Sequence, residues 1–439
     1  MTDQDTTSTE AASATWREPA RDLPVIGRPD VLVVGAGAAG IAAALASARR
    51  GADTWLVERL SYVGGLASFG LINLLLTLDD GEGNQVVAGI CQEFVDTLDS
   101  LGAARYPGRS EWGSEDPQAV ERWRNWGLIW GAPPETVRYS VAFEPESFVS
   151  ATYDLLEAEG VTLRLHTGCA ATHSTEGHIE AVVVESKAGR EVIIPTVIID
   201  TTGDGDVFTY AGADAELVPI YPHQWFRMGG VSGFDENSPI EGGIYFRTTD
   251  PGRVLVPWGG PGFAESRINP VDPVDLTSAE LSCRRAVMAE VARLREEAPG
   301  FGEAWLDDIA KNLGITESRR LVGDYMLQKD DGDRPFADSV AQTGHWTRRG
   351  VVYDIPYRCL TTPAVKNLIT AGRCISTTRY VHQATKEIPA AMATGEAAGA
   401  AAVAALNTGG KVHEIDVEAL RLDLAAGGAL VGGDPPADT

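Results

Sequence analysis

A chain of 439 residues, 44% of them hydrophobic and 7% aromatic, is long enough for two or three domains around a large core. Its 36 Lys and Arg against 62 Asp and Glu leave a formal charge of −26, a field that repels phosphate backbones and anionic membrane surfaces. Nucleic acid and membranes are therefore not expected as partners.

Residues 1–27 are rich in Ser, Thr, Ala, Asp and Glu and read as a disordered leader. Asp30-Val31-Leu32-Val33-Val34 reads as a buried parallel strand, Ile41 to Arg50 as an Ala-rich helix, and Thr54 to Glu58 as the next strand of a βαβ unit. A second fragment has a helix from Ser147 to Gly160 and a strand from Val161 to His166. Strand-like runs follow at Ile179 to Glu185 and Glu191 to Ile199, ending at the corner Asp200 to Asp206. A third fragment holds a short strand in Asn367 to Gly372 and an Ala-rich helix from Pro389 to Leu406. Residues 411–439, with Gly432-Gly433-Asp434-Pro435-Pro436, read as a C-terminal tail. The five cysteines (Cys91, Cys169, Cys283, Cys359, Cys374) include no C-x-x-C pair, which fits a reducing compartment and argues against disulfides, structural zinc or another metal site. No basic segment leads into an apolar core at the N-terminus, and no apolar run reaches about 18 residues, so the protein reads as cytoplasmic.

Gly35-Ala36-Gly37-Ala38-Ala39-Gly40 is G-x-G-x-x-G placed directly after a strand and opening a helix. Its first glycine permits a tight turn, the second lets backbone approach a pyrophosphate, and the third allows close helix–strand packing, while the helix N-terminus favours the phosphate charge. Glu58, 23 residues past Gly35 and followed by Arg59, ends the second strand, where a carboxylate can accept from ribose hydroxyls. Four features select FAD over NAD as the cofactor. Gly64-Gly65-Leu66 offers a second flexible segment beside an extended ligand. The corner with Gly203 and Asp204 gives another close approach, and Ala371-Gly372-Arg373 follows a strand late in the chain. The helix opening at Ile388 and Pro389 can aim its positive end at the flavin N1–C2=O2 edge.

The runs ESRRLVGDY (Glu317 to Tyr325), IPYRCL (Ile355 to Leu360), NLITAGRCIS (Asn367 to Ser376) and ATGEAAGAAA (Ala393 to Ala402), after the GAGAAG turn, resemble the FAD-dependent oxidoreductase family related distantly to fumarate reductase and succinate dehydrogenase flavoproteins. The similarity spans about residues 28–406. It implies an α/β fold with a bipartite Rossmann-like FAD-binding domain of glutathione-reductase type, interrupted by a mixed α+β substrate or cap domain. On this reading the FAD-binding domain takes 28–71, 141–213 and 366–410, and the cap takes 72–140 and 214–365. Similar proteins often carry His where Arg379 stands and Arg where Lys386 stands, whereas His382 matches the usual histidine.

Hydride transfer at flavin N5 needs an acid or base and positive groups to fix the substrate. His382, beside the expected flavin helix, is the first candidate, since imidazole titrates near neutral pH. Arg379 and Tyr380 share its segment, and Arg379 can clamp an anion. Tyr357 joins these catalytic candidates. Arg227, in an aromatic run, and Arg358, at the expected domain junction, are substrate-binding candidates. Glu317, Arg319 and Arg320 read as a buried network, and Cys374 as a small buried filler rather than a redox thiol or a flavin attachment point. No G-x-S-x-G, H-E-x-x-H or P-loop motif occurs, and no second G-x-G-x-x-G. The expectation is a dehydrogenase or oxidase taking a hydride from a small organic substrate. The alternatives are a fumarate-reductase-like C=C reductase, a less favoured flavin monooxygenase, and a non-catalytic flavoprotein with structural or redox-sensing FAD. Homo-oligomerisation is left open.

Overall fold

The structure is a computed structural model that describes residues 15–233, 243–259 and 266–433. Five short strands form its central sheet: β1 (Val31–Val34), β2 (Thr54–Val57), β3 (Thr162–Arg164), β4 (Val197–Asp200) and β5 (Leu368–Thr370). Their order is β5-β4-β1-β2-β3 and every pairing is parallel. Three fragments of the chain, separated by more than a hundred residues each, thus share one sheet. The register is level: Val34 lies opposite both Val57 and Asp200, and Asp200 opposite Thr370. The turns after four strands therefore emerge along one edge, the usual ligand side of an open parallel sheet.

Successive strand residues face opposite layers. Val31, Val33, Leu56, Val197 and Ile199 join one core with α1 (Ala38–Arg49) and α4 (Ile388–Leu406). Leu32, Val34, Val57 and Ile198 join another, beneath the sheet of Gly168–Thr175, His178–Ser186 and Gly189–Ile193. α1 and α4 approach backbone to backbone: a Cβ on Gly395 would stand 2.1 Å from the Ala39 carbonyl oxygen, and one on Gly399 2.3 Å from that of Ala43. Their alanines are what the approach requires. By length and apolarity alone α4 is long enough to cross a membrane, against the sequence expectation of no such run, but 78% of its 18-residue apolar stretch is buried inside the protein.

Above the sheet edge stands a second, antiparallel sheet of Phe226–Gly229, Phe246–Arg247, Val254–Val256 and Trp305–Ile309. The long helix α2 (Pro273–Glu297) covers it through Val287, Val291 and Leu294. Not all of 72–140 and 214–365 stands apart from the parallel sheet. The helix Ile90–Ser100 and the hairpin of Ser339–Gly344 and Val352–Pro356 bury their apolar faces in the same core as α1 and α4.

Both chain ends correct the sequence reading. Val25–Gly27 is a strand, paired in parallel with Val192 and Ile193 because Gly27 lets the chain pass over the Trp55 ring, so a leader running to residue 27 is too long. Residues 1–14 lie outside the described residues. After residue 411 the chain is no loose tail as far as 433. Val412 is buried, α5 (Val417–Ala426) buries Leu420 and Leu424, and Gly433 donates its amide to Asp354 Oδ2 at 2.7 Å. The remaining tail residues, 434–439, lie outside the described residues.

Candidate functional site

The glycine turn divides its labour by residue. Gly35 has φ +103°, and a Cβ there would stand 2.6 Å from the Thr201 carbonyl oxygen. A Cβ on Gly40 would meet the Gly35 carbonyl at 1.8 Å, whereas one on Gly37 would meet nothing within 4 Å. Gly35 and Gly40 thus close the turn, and Gly37 leaves open space for a ligand. Thr201 Oγ1 stitches the second fragment onto this turn, reaching the Val34 and Gly35 carbonyls at 2.9 and 2.7 Å. α1 begins without a side-chain cap, so its first amides face the space in front of Gly37. Glu58, 7% exposed, accepts the Ala36 amide at 2.7 Å and the Leu60 amide at 2.9 Å. Each carboxylate oxygen keeps a second lone pair for a ligand hydroxyl.

A cleft of about 940 Å³ runs along this edge. All the cofactor positions named from the sequence line it (Gly35, Gly37, Ala38, Ala39, Glu58, Arg59, Gly64, Gly65, Leu66, Gly203, Asp204, Gly372, Arg373 and Ile388), except Gly40, which lies behind the turn. Gly64 and Gly203, at φ +101° and +73°, hold left-handed turns that a side chain would strain. Asp204 pairs with Arg373 at 3.0 Å and more loosely with Arg59 at 3.8 Å, and Arg319 pairs with Asp206 at 2.9 Å. α2 and the segment Lys311–Ile315 form the other wall. That segment is tied to both ends of the chain. Lys311 and Asn312 donate their amides to the Phe69 carbonyl, at 2.7 and 3.2 Å, and Arg373 donates to the Ile315 carbonyl.

The catalytic and substrate-binding candidates do not line this cleft, and each is engaged by other groups of the protein. His382, fully buried on α3 (Arg379–Thr385), spends Nε2 on the Thr316 carbonyl at 3.1 Å and does not line the cleft. Burial, against the Thr316 carbonyl, holds its pKa well below the ordinary histidine value, so it stays neutral. Arg379 points outward, half exposed, and pairs with buried Glu317 at 3.2 Å. Tyr380 is stacked by Arg348 and Lys329, at 4.6 and 5.2 Å from its ring. Tyr357 is buried with its hydroxyl on the Val412 carbonyl, and Arg358 pairs with Asp338 at 2.7 Å over the Tyr325 ring. Arg227 is fully spent: it grips both Asp308 oxygens, at 2.9 and 2.8 Å, and Glu144 at 2.8 Å. It braces the cap strand to the helix that follows Glu144. Arg320, 1% exposed, belongs to the network the sequence suggested, with Glu216 and Glu317. Cys374 is buried against the Ala371 carbonyl, and burial raises its thiol pKa well above the ordinary value.

Sequence reasoning missed the cap side of the cleft. Lys311 to Ile315 carry no motif, and their nearness to Phe69 comes only from the return of the cap strand Trp305–Ile309. Lys386 also lines the cleft, at the junction of α3 and α4. The one available signal was its departure from the Arg of similar proteins.

A level parallel sheet whose carboxyl edge carries a G-x-G-x-x-G turn, a ribose-side carboxylate and glycine corners from three fragments defines a dinucleotide-binding α/β protein. The family model described as FAD dependent oxidoreductase matches residues 30–424, and the chain belongs to that family, with FAD as its cofactor. No curated protein sequence matches the chain. Among solved structures, a geranylgeranyl bacteriochlorophyll reductase-like protein from Thermoplasma acidophilum superposes with a TM-score of 0.51 at 15% identity, covering 91% of this chain and 83% of the other. A p-nitrophenol 4-monooxygenase from Pseudomonas putida gives 0.51 at 14% identity, over 88% and 82%. An L-amino acid deaminase from Proteus vulgaris gives 0.50 at 12% identity, over 93% and 99%. At these identities the likeness speaks for the fold.

Proposed function

We propose that the protein is an FAD-dependent dehydrogenase or oxidase that takes a hydride from a small organic substrate, built on a glutathione-reductase-type FAD domain under a cap. The observation that carries this reading is the cleft, in which corners from three fragments of the chain form one wall and α2 with the segment Lys311–Ile315 the other. FAD, when bound, supplies the hydride acceptor at N5. The protein's own residues divide the remaining tasks. Gly37 and the uncapped start of α1 take the pyrophosphate, and Glu58 takes the ribose. Gly64, Gly65 and Gly372 let backbone run against the ring half, and the start of α4 at Ile388 offers its amides there. α2 and the Lys311–Ile315 segment exclude water from above. The chain has no second dinucleotide motif, which supports reduction by the organic substrate itself or by a partner protein.

The test is anaerobic mixing of the FAD-loaded protein with a metabolite panel. Bleaching of the flavin by one class of donor supports the proposal. Reoxidation of the reduced protein by an enone, with no donor active, would replace it with a C=C reductase.

A further inference from the structure

Most charge on the cleft wall is answered by the chain itself. Arg373 and Arg59 face Asp204, Arg319 faces Asp206, and Glu280 of α2 is held by Arg284 and the Gln224 amide. Lys386 is different. Its side chain is 14% exposed, and its one ion-pair partner among the described residues is Glu387, a buried carboxylate held loosely at 3.6 Å, whose pKa burial raises against the pull of the Lys386 charge. Lys311, on the cap side of the same cleft, has no ion pair among the described residues. His223, 7% exposed and with no partner for Nδ1, lies behind the Lys311–Ile315 wall and not on the cleft lining. Its ring packs on Gly314, where a Cβ would fall 1.9 Å from Cε1. Burial first and the Lys386 charge second push His223 down to about 3, so the ring is neutral at physiological pH.

A buried ammonium is costly unless an anion completes its hydrogen bonds. We infer that Lys386, with Lys311 across the cleft, forms a subsite for the carboxylate of a small organic acid, and that such an acid is the substrate. The inference rests on the reading of the cleft as a hydride-transfer site. Two ammonium groups supply the positive field and the hydrogen-bond donors, and the neutral ring of His223 behind them adds no charge of its own. Backbone contacts hold the parts in place before any ligand arrives. Gly314 donates its amide to the His223 carbonyl at 2.6 Å, and Lys311 donates its amide to Phe69 at 2.7 Å. His382 Nε2 on the Thr316 carbonyl anchors the helix that ends at Lys386. That is a positioning role for the histidine, and it accounts for its burial.

The test is titration of the FAD-loaded protein with benzoate, followed by the visible flavin spectrum, with neutral benzamide as control. Benzoate is expected to perturb the spectrum saturably and benzamide not to. Lys386→Met weakens benzoate by about tenfold or more and Lys311→Met by less, while Lys386→Arg keeps most of the affinity and FAD retention is unchanged. Equal binding of benzamide, no perturbation of the wild type, or a Lys386→Met protein that binds benzoate as well as wild type overturns the inference. If Lys386→Met sheds FAD, Lys311→Met decides: unchanged benzoate affinity there also overturns it. A Lys386-dependent benzoate site in a protein whose flavin no donor bleaches would leave the subsite standing and sink the hydride-transfer reading instead.

Discussion

Glu58 accepts the amide proton of Ala36 at 2.7 Å, so the carboxylate expected to meet the ribose also braces the glycine turn from behind. The first and second strands of the βαβ unit are thereby locked before any cofactor binds. Glu58→Ala leaves the Ala36 and Leu60 amides without their acceptor, a cost of about 1–3 kcal/mol for each that stays buried. The apo protein should melt lower and FAD affinity should fall about tenfold or more. Glu58→Gln keeps one acceptor oxygen and should fall between. Calorimetry without FAD and fluorescence titration with FAD separate the two roles, and an apo melting temperature untouched by Glu58→Ala would remove the bracing role.

Arg227 predicts a stability effect without a specific catalytic one. Its guanidinium holds Asp308 and Glu144 together with 8% of the side chain exposed. Arg227→Met leaves two carboxylates facing each other at the junction, and loss of one partner of such a buried pair costs about 3–5 kcal/mol. Urea unfolding should show that loss. A variant as stable as wild type but with weakened substrate affinity would return Arg227 to the binding site.

His382→Ala tests the clearest reversal between sequence and structure. The structure predicts a loss of about 2–4 kcal/mol, from the cavity and the unpaired Thr316 carbonyl. Once loaded with FAD, the variant should show a flavin-reduction rate whose pH profile matches wild type. A profile that loses one limb in His382→Ala would restore the histidine as acid or base.

Glu396 gives a pH dependence unrelated to catalysis. It is 4% exposed on α4 and accepts the Ile90 amide at 2.9 Å, at the start of the helix Ile90–Ser100. Burial raises its carboxyl to about 7, against the pull of the Ile90 amide, Arg50 and Arg49 and with a further push from Glu93. A folded-state value above the unfolded one means that the stabilisation is complete below about 4.5 and is lost as pH rises through about 7. Glu396→Gln keeps the acceptor without the charge. It should match wild type in stability at pH 4 and below and exceed it at pH 8 by about 3 kcal/mol. Equal differences at the two pH values would show that Glu396 does not titrate in this window.

The glycine-lined wall of the cleft was legible in the sequence because its signals are local. The turn Gly35 to Gly40 and the strands before it dictate their own geometry, and Gly203 and Gly372 follow strands in the same way. The cap half was not. Lys311 and Phe69 meet only through the tertiary return of the cap, and no spacing encodes that. Helical phase misled the reading of Arg379 to Thr385: the turn that exposes Arg379 puts Val381, His382, Ala384 and Thr385 inward. A segment next to the cofactor helix can carry its polar side chain away from the cofactor. Both chain ends were misread because Val25, Ile26 and the apolar side of Val417–Ala426 are too short to register as periodic patterns, yet they find partners in the fold.

The central claim is that the glycine corners of distant fragments converge on one FAD, and Gly37 tests it most directly. At Gly37 a side chain meets no protein atom within 4 Å and the backbone, at φ −74°, suits any residue, whereas at Gly40 it strikes the Gly35 carbonyl. FAD titration and apo melting of Gly37→Ala and Gly40→Ala should therefore split. Gly37→Ala is expected to melt like wild type and lose FAD, while Gly40→Ala is destabilised even without FAD. A Gly37→Ala protein that retains FAD as tightly as wild type would contradict that claim.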